Sequence, residues 1–229
     1  MQRNFFKIFL SMLALCFSIT MQAEQPFNSA ILLPQAQNIR PFSLDWQADI
    51  HNKKSLTQFT NANLMGKWTL LFFGFTHCPA LCPTTMAQLA AAYQQLQNQH
   101  IVPLPQVVFV SVDPEQDTTA QVTRFAQAFN KNFMGVRTYN KTTLAQMTRE
   151  MDAMFEKVPT KNGAAQDSSA TYTIDHTGDI KVINPDGKFV AMLTMPHKAD
   201  DIVVDYQAIV KNSIQPTRLS DRVKSVFAK

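Results

Sequence analysis

The chain has 229 residues, 45% of them hydrophobic and 17% charged, which is enough apolar material for one core and too little charge for a disordered chain. Collagen, coiled coil and multispan membrane protein are excluded: there is no glycine period, no sustained heptad, and only one long apolar run, at the N-terminus. The net charge of +4 falls to +2 without Arg3 and Lys7 (19 Lys and Arg against 17 Asp and Glu), and no basic block accompanies it, so nothing argues for nucleic acid as a partner.

Arg3 and Lys7 precede an uncharged apolar run over 8–19, and Met21-Gln22-Ala23 puts a small residue before Glu24. That is the layout of a secretory signal over 1–23, with cleavage after Ala23 as the expectation and an uncleaved inner-membrane anchor as the alternative. The run is short for a transmembrane helix, which needs about 20 residues. Cys16 reads as an apolar residue of the discarded segment, since Leu15 is too large to precede a lipidated cysteine. Export would place the protein in the periplasm or on the periplasmic face of the inner membrane. There a disulfide between the two remaining cysteines, Cys78 and Cys82, is permitted. Two cysteines closing a loop of a few residues are a poor structural staple.

Residues 24–40 lack periodicity and read as a linker, before a domain over 41–213 and a tail over 214–229. Residues 42–50 alternate as a strand (Phe42, Leu44, Trp46). The near-continuous apolar run 68–75 suits a strand buried on both faces. A turn over 76–83 leads to Pro83, a suitable first helical position. Met86, Leu89, Ala90, Tyr93 and Leu96 then recur at helical spacing. Residues 107–112 predict a second buried strand, ended by Asp113-Pro114. Helices are predicted over 118–129 and 142–155, and an exposed polar loop over 157–169. Strand pieces at 171–175 and 179–183, the turn Asn184-Pro185-Asp186-Gly187, a strand at 189–193 and a helix over 200–210 complete the pattern. The order implies an α/β fold, thioredoxin-like, with a central mixed β-sheet flanked by helices and an inserted hairpin.

Gly74-Phe75-Thr76-His77-Cys78-Pro79-Ala80-Leu81-Cys82-Pro83 carries the chemistry. Cysteines four apart at a helix start can share a face, where the N-terminal partial charge favours thiolate. Three readings stay open from these residues alone: a soft metal site for Cu(I) or zinc, thiol–disulfide exchange, or an inert bridge. A Cu(II) site would also want an imidazole. His51, His100 and His197 lie in polar loops or near helix ends, where a solvated histidine is the ordinary reading. His77 adjoins Cys78, but neighbours on an extended chain point apart; it could instead tune the thiol. His176 lies between two strand pieces.

Phe73 to Pro83, together with Val110-Ser111-Val112-Asp113-Pro114-Glu115-Gln116-Asp117-Thr118 and Tyr172-Thr173-Ile174-Asp175-His176-Thr177, resembles the three motifs of the SCO/SenC family of copper proteins, in order over most of 42–210. The resemblance implies a thioredoxin-like fold holding one copper, Cu(I) or Cu(II), per chain on Cys78, Cys82 and His176. Asp175 would orient the imidazole, while Asp113 and Asp117 read as turn and helix-cap residues. The implied function is a metallochaperone, without turnover of its own, that helps assemble the copper A centre of cytochrome c oxidase. Its partners would be the oxidase's copper-bearing subunit, other copper chaperones and thiol reductants. Two other classes stand beside it. One is a thiol–disulfide oxidoreductase, with Cys78 and Cys82 as the catalytic redox pair, that reduces cysteines of the oxidase subunit or of other exported proteins. The other is a copper or redox sensor.

Overall fold

Phe72 and Phe73 set the middle of the molecule: each is buried, as are all six residues of their strand. Full burial of one such side chain is worth about 1.5–3 kcal/mol, so this strand has to lie between two others, with both faces covered. The computed structural model describes residues 27–47, 56–159 and 172–213. The segment 1–23, the tail beyond 213, His51 and most of the predicted loop 157–169 fall outside them. Ten strands are described: β1 (Ala30–Asn38), β2 (Ser43–Gln47), β3 (Leu56–Thr60), β4 (Thr69–Gly74), β5 (Gln106–Ser111), β6 (Met134–Arg137), β7 (Phe155–Pro159), β8 (Tyr172–His176), β9 (Ile180–Ile183) and β10 (Lys188–Leu193). The helices are α1 (Leu81–Asn98), α2 (Thr119–Phe129), α3 (Lys141–Glu150) and α4 (Ala199–Ser213). Among the described residues no helix is long and apolar enough to cross a membrane.

Eight strands form one mixed sheet in the order β1-β10-β9-β4-β5-β6-β2-β3. β4, β5 and β6 run parallel, as the helical crossovers α1 and α2 require, and β9 returns antiparallel beside β4. α1 packs against α4, and α2 lies over β6 and β5. The contact of α2 with β6 depends on Gly135, where a Cβ would fall 2.1 Å from the Val122 carbonyl oxygen. β7 and β8 form a separate two-stranded sheet. This is the α/β architecture with an inserted hairpin.

Four expectations are corrected. Residues 24–40 are not all linker: β1 pairs antiparallel with β10, though its exposed, proline-interrupted sequence hides the strand. α1 starts at Leu81 rather than Pro83, which sits at the third helical position, where its missing N–H costs nothing. α3 stops at Glu150, short of 155. Asp152 takes φ +52°, the Ala153 N–H reaches the Thr148 carbonyl at 2.8 Å, and the Asp152 N–H reaches Arg149 at 3.4 Å. That double bond is a Schellman end with Asp in the left-handed position, and it reverses the chain into β7. β7 therefore occupies 155–159, where the end of a helix and the start of a loop were expected. Beneath this reversal Lys181 of β9 is buried and sends its ammonium to the Asp152 carbonyl at 3.1 Å; burial pulls its pKa down.

Candidate metal centre

Gly74 ends β4 directly against the sulfur of Cys82: a Cβ there would lie 2.7 Å from Sγ and 2.8 Å from the Phe109 ring. Glycine is thus required for close approach. Cys82 falls on the buried stripe of α1 with Thr85, Met86, Leu89, Ala92 and Leu96, so the periodicity that buries the helix also buries this thiol. Cys78 precedes the helix and is half-exposed. Its sulfur accepts the Cys82 N–H at 3.3 Å, satisfying one of the first-turn donors that Ala80, at the N-cap, leaves unmet. Both thiols are free.

The two sulfurs are electrostatically unlike. The Cys78 thiol is pulled down from 9.0 to about 4, chiefly by the hydrogen bond from the Cys82 side chain, and further by His176 and the Cys82 and Ala80 backbone, against the opposing effect of burial. Cys82 is pushed up, first by burial, then by its hydrogen bond and charge interaction with Cys78. One proton between two sulfurs resides on the buried one, which leaves the accessible one as the thiolate.

His176 arrives from β8, where it pairs with Phe155 of β7. Its ring meets Phe72 at 6.0 Å and Phe75 at 5.8 Å between centroids, both edge-on. Nδ1 lies 2.9 Å from the Thr177 carbonyl oxygen. A carbonyl only accepts, so Nδ1 carries the proton and Nε2 presents its lone pair, 3.3 Å from Cys82 Sγ. Donation from the second ring nitrogen to a carbonyl is the usual support of a metal-bound histidine. It replaces the expected role of Asp175, which is exposed. Cys78, Cys82 and His176 each offer one donor atom, all within 4.8 Å of one another. Two soft sulfurs and an imidazole nitrogen suit copper, in a site half open to solvent. An open cleft of about 860 Å³, lined by Arg149, Met154, Phe155 and Asp175 among others, runs up to His176.

The other described histidines are elsewhere. His77 Nδ1 turns toward Asp117, 3.7 Å away. His100 sits at φ +56° in the left-handed position that ends α1, with Ile101 N–H on the Leu96 carbonyl. His197 bonds through Nε2 to the Gly178 carbonyl at 2.7 Å, and burial lowers its pKa.

Asp113 and Asp117 do more than shape a turn. Thr118, not Asp117, caps α2. Asp117 is buried and accepts from the Thr76 N–H at 3.1 Å and from the Thr76 and Ser111 hydroxyls. Asp113, also buried, accepts from the Tyr172 hydroxyl at 2.9 Å. Neither role was legible in sequence, since Thr76 lies 41 positions from Asp117 and Tyr172 lies 59 from Asp113.

The SCO1/SenC family model matches residues 36–211. The chain belongs to the SCO1/SenC family. A mitochondrial SCO2 homolog of Bos taurus is 33% identical over 141 residues, 62% of this chain and 50% of that protein. The chain spans about half the length of such mitochondrial relatives. Among solved structures, Arabidopsis thaliana ScoI with copper bound is 30% identical, covering 76% of this chain and 97% of that one at a TM-score of 0.62. The apo Sco1 protein of Thermus thermophilus is 28% identical, covering 82% and 99% at 0.63. These neighbours share the thioredoxin-like fold, and the SCO1/SenC chain described here carries the cysteine pair and the histidine within it.

Proposed function

We propose that this protein holds one copper ion as cargo on Cys78, Cys82 and His176 and delivers it toward the copper A centre of cytochrome c oxidase. The observation that supports this reading is the convergence of two thiol sulfurs and an imidazole nitrogen within 4.8 Å, with the second ring nitrogen 2.9 Å from the Thr177 carbonyl oxygen. A dithiol exchange site needs no imidazole; a Cu(II) site does. The oxidase subunit that bears the copper, or another copper chaperone, is the proposed partner, and the periplasm or its membrane face the proposed compartment. Cys78 is the half-exposed sulfur, so an incoming thiolate can share the ion there before Cys82 and His176 let go.

A second reading rests on the asymmetry of the pair. A half-exposed thiolate at about 4 beside a buried, protonated thiol is the layout of an attacking and a resolving cysteine. In that reading the chain reduces a disulfide of an exported partner.

His176→Ala separates the two. Titrated with copper after reduction, the variant should lose Cu(II) binding and keep weakened Cu(I) binding on two thiolates, while any reductase activity survives. Cu(II) binding equal to the unsubstituted protein would remove His176 from the site and bring the second reading forward.

A further inference from the structure

We infer that the loop joining β5 to α2 is a bracket that sets the spacing of the copper ligands, with Asp117 positioning the cysteine side and Asp113 with Tyr172 positioning His176. The inference rests on the copper reading above and concerns residues that touch no ligand atom. Asp117 takes the Thr76 N–H and hydroxyl, which fixes the turn two residues before Cys78. Four positions earlier, Asp113 takes the Tyr172 hydroxyl at 2.9 Å, at the far end of the strand that carries His176. The two carboxylates are locked together: the Asp117 N–H donates to the Asp113 carbonyl at 2.9 Å, and the Ser111 hydroxyl donates to Asp117 while accepting the Asp113 N–H at 3.1 Å.

The sheet supports the bracket from behind. Arg137 of β6 is buried, and its guanidinium donates to the Pro114 carbonyl at 2.8 Å. On the outer side Glu115 receives Lys157 of β7 at 2.6 Å and Lys141 of α3 at 2.9 Å, and the Lys157 ammonium lies 4.2 Å from the centre of the Tyr172 ring. Both strands of the hairpin are thus held by one loop of the main body. β7 and β8 otherwise pair only with each other among the described strands. The exposed Lys–Glu pairs are screened and weak; the Tyr172–Asp113 bond, part-buried and made to a carboxyl group that is itself buried, is the stronger link.

Tyr172→Phe removes that single hydroxyl and keeps the ring. Cu(II) affinity, read by competition and by the thiolate-to-copper absorption band, should fall about tenfold, the usual loss when the support of a metal ligand is removed. Cu(I) affinity should stay within about twofold of the parent, since two thiolates suffice for it. Amide exchange of 155–159 and 172–176 in the metal-free protein should accelerate, with the strands of the main sheet unchanged. Asp113→Asn, which retains a carbonyl acceptor for Tyr172, should fall between the two. Unchanged Cu(II) binding and band in Tyr172→Phe would overturn the bracket, as would equal losses for Cu(I) and Cu(II), which signal general damage. If the unsubstituted protein binds no copper, the copper reading fails by itself. The exchange measurement then decides the bracket alone, and unaltered hairpin exchange rejects it.

Discussion

Cys82 and His176 stand 3.3 Å apart in two regions built on opposite principles. Cys82 belongs to the core: its helix starts where β4 ends, and β4 is buried along its whole length between β5 and β9. His176 belongs to a two-stranded hairpin in which β7 is exposed at four of its five positions. Such a ribbon is marginal on its own, so its placement depends on polar ties to the loop before α2 and on the aromatic edges of Phe72 and Phe75. The contrast assigns different tasks to the ligands. Cys82 is held by core packing, whereas the imidazole is held by hydrogen bonds at the edge of the body, which open locally more readily; Cys78 lies half-exposed between the two.

The largest effect comes from attacking the core side. Cys82→Ser should abolish stoichiometric copper binding. It should also cost roughly 1–3 kcal/mol of stability, because a hydroxyl replaces a buried sulfur where Phe75 and the Gly74 backbone leave little water. Chelator competition and denaturant melts check the two parts. Stability loss without copper loss would break the comparison.

Gly74→Ala tests the close approach without touching a donor. The added methyl meets Cys82 Sγ and Phe109 below 3.0 Å, and overpacking of this kind costs about 1–3 kcal/mol. We expect weaker Cu(I) and Cu(II) binding together, since the sulfur itself must move. A selective loss of Cu(II) alone would show that the strain is relieved through His176 instead.

Titration sharpens the difference between the sulfurs. With a folded pKa of about 4 against an ordinary 9.0, Cys78 contributes stability that is complete above pH 9. That contribution declines as pH falls, and is gone below about 4. Cys82, shifted the other way, takes stability away only as pH rises above 9. Alkylation of the reduced metal-free protein should therefore mark Cys78 at a nearly constant rate from pH 8 to 5 and slow through about 4. A rate that rises tenfold per pH unit across that range would mean an ordinary thiol.

The smallest effect is a control. Thr118→Ala removes the hydroxyl that caps α2, worth about 1 kcal/mol. Thermal melts should register it, and copper affinity should not, because α2 belongs to the body and the bracket ends one residue earlier. A shift in Cu(II) affinity would extend the positioning network into the helix.

The legible parts of the molecule were those whose chemistry repeats locally. β4 and β5 announce themselves as unbroken apolar runs, and α1 and α2 as helical spacing. β1 did not, since seven of its nine positions are exposed and Pro34 interrupts it; only pairing with β10 makes it a strand. β6 is four residues long and holds Gly135. The end of α3 depended on Asp152 accepting a left-handed conformation that most residues avoid. At the site, the cysteines were visible from spacing at a helix start, while His176 was singled out by resemblance. The proton on its Nδ1, and the reach of Asp113 and Asp117 across the fold, are tertiary facts that no local pattern encodes.

Phe155 and His176 form the ladder pair nearest the body, and Pro159 with Tyr172 the pair farthest along the described ribbon. The ligand therefore sits at the root of the hairpin. Below it, Met154 and Thr177 exchange bonds of 3.0 and 3.2 Å, and Lys181 holds the Asp152 carbonyl. The whole described ladder, from Phe155–His176 to Pro159–Tyr172, separates the imidazole from the far end of the ribbon. The far pair therefore acts on the ligand at a distance, through the Tyr172 hydroxyl on Asp113, while the near end is set directly by the body.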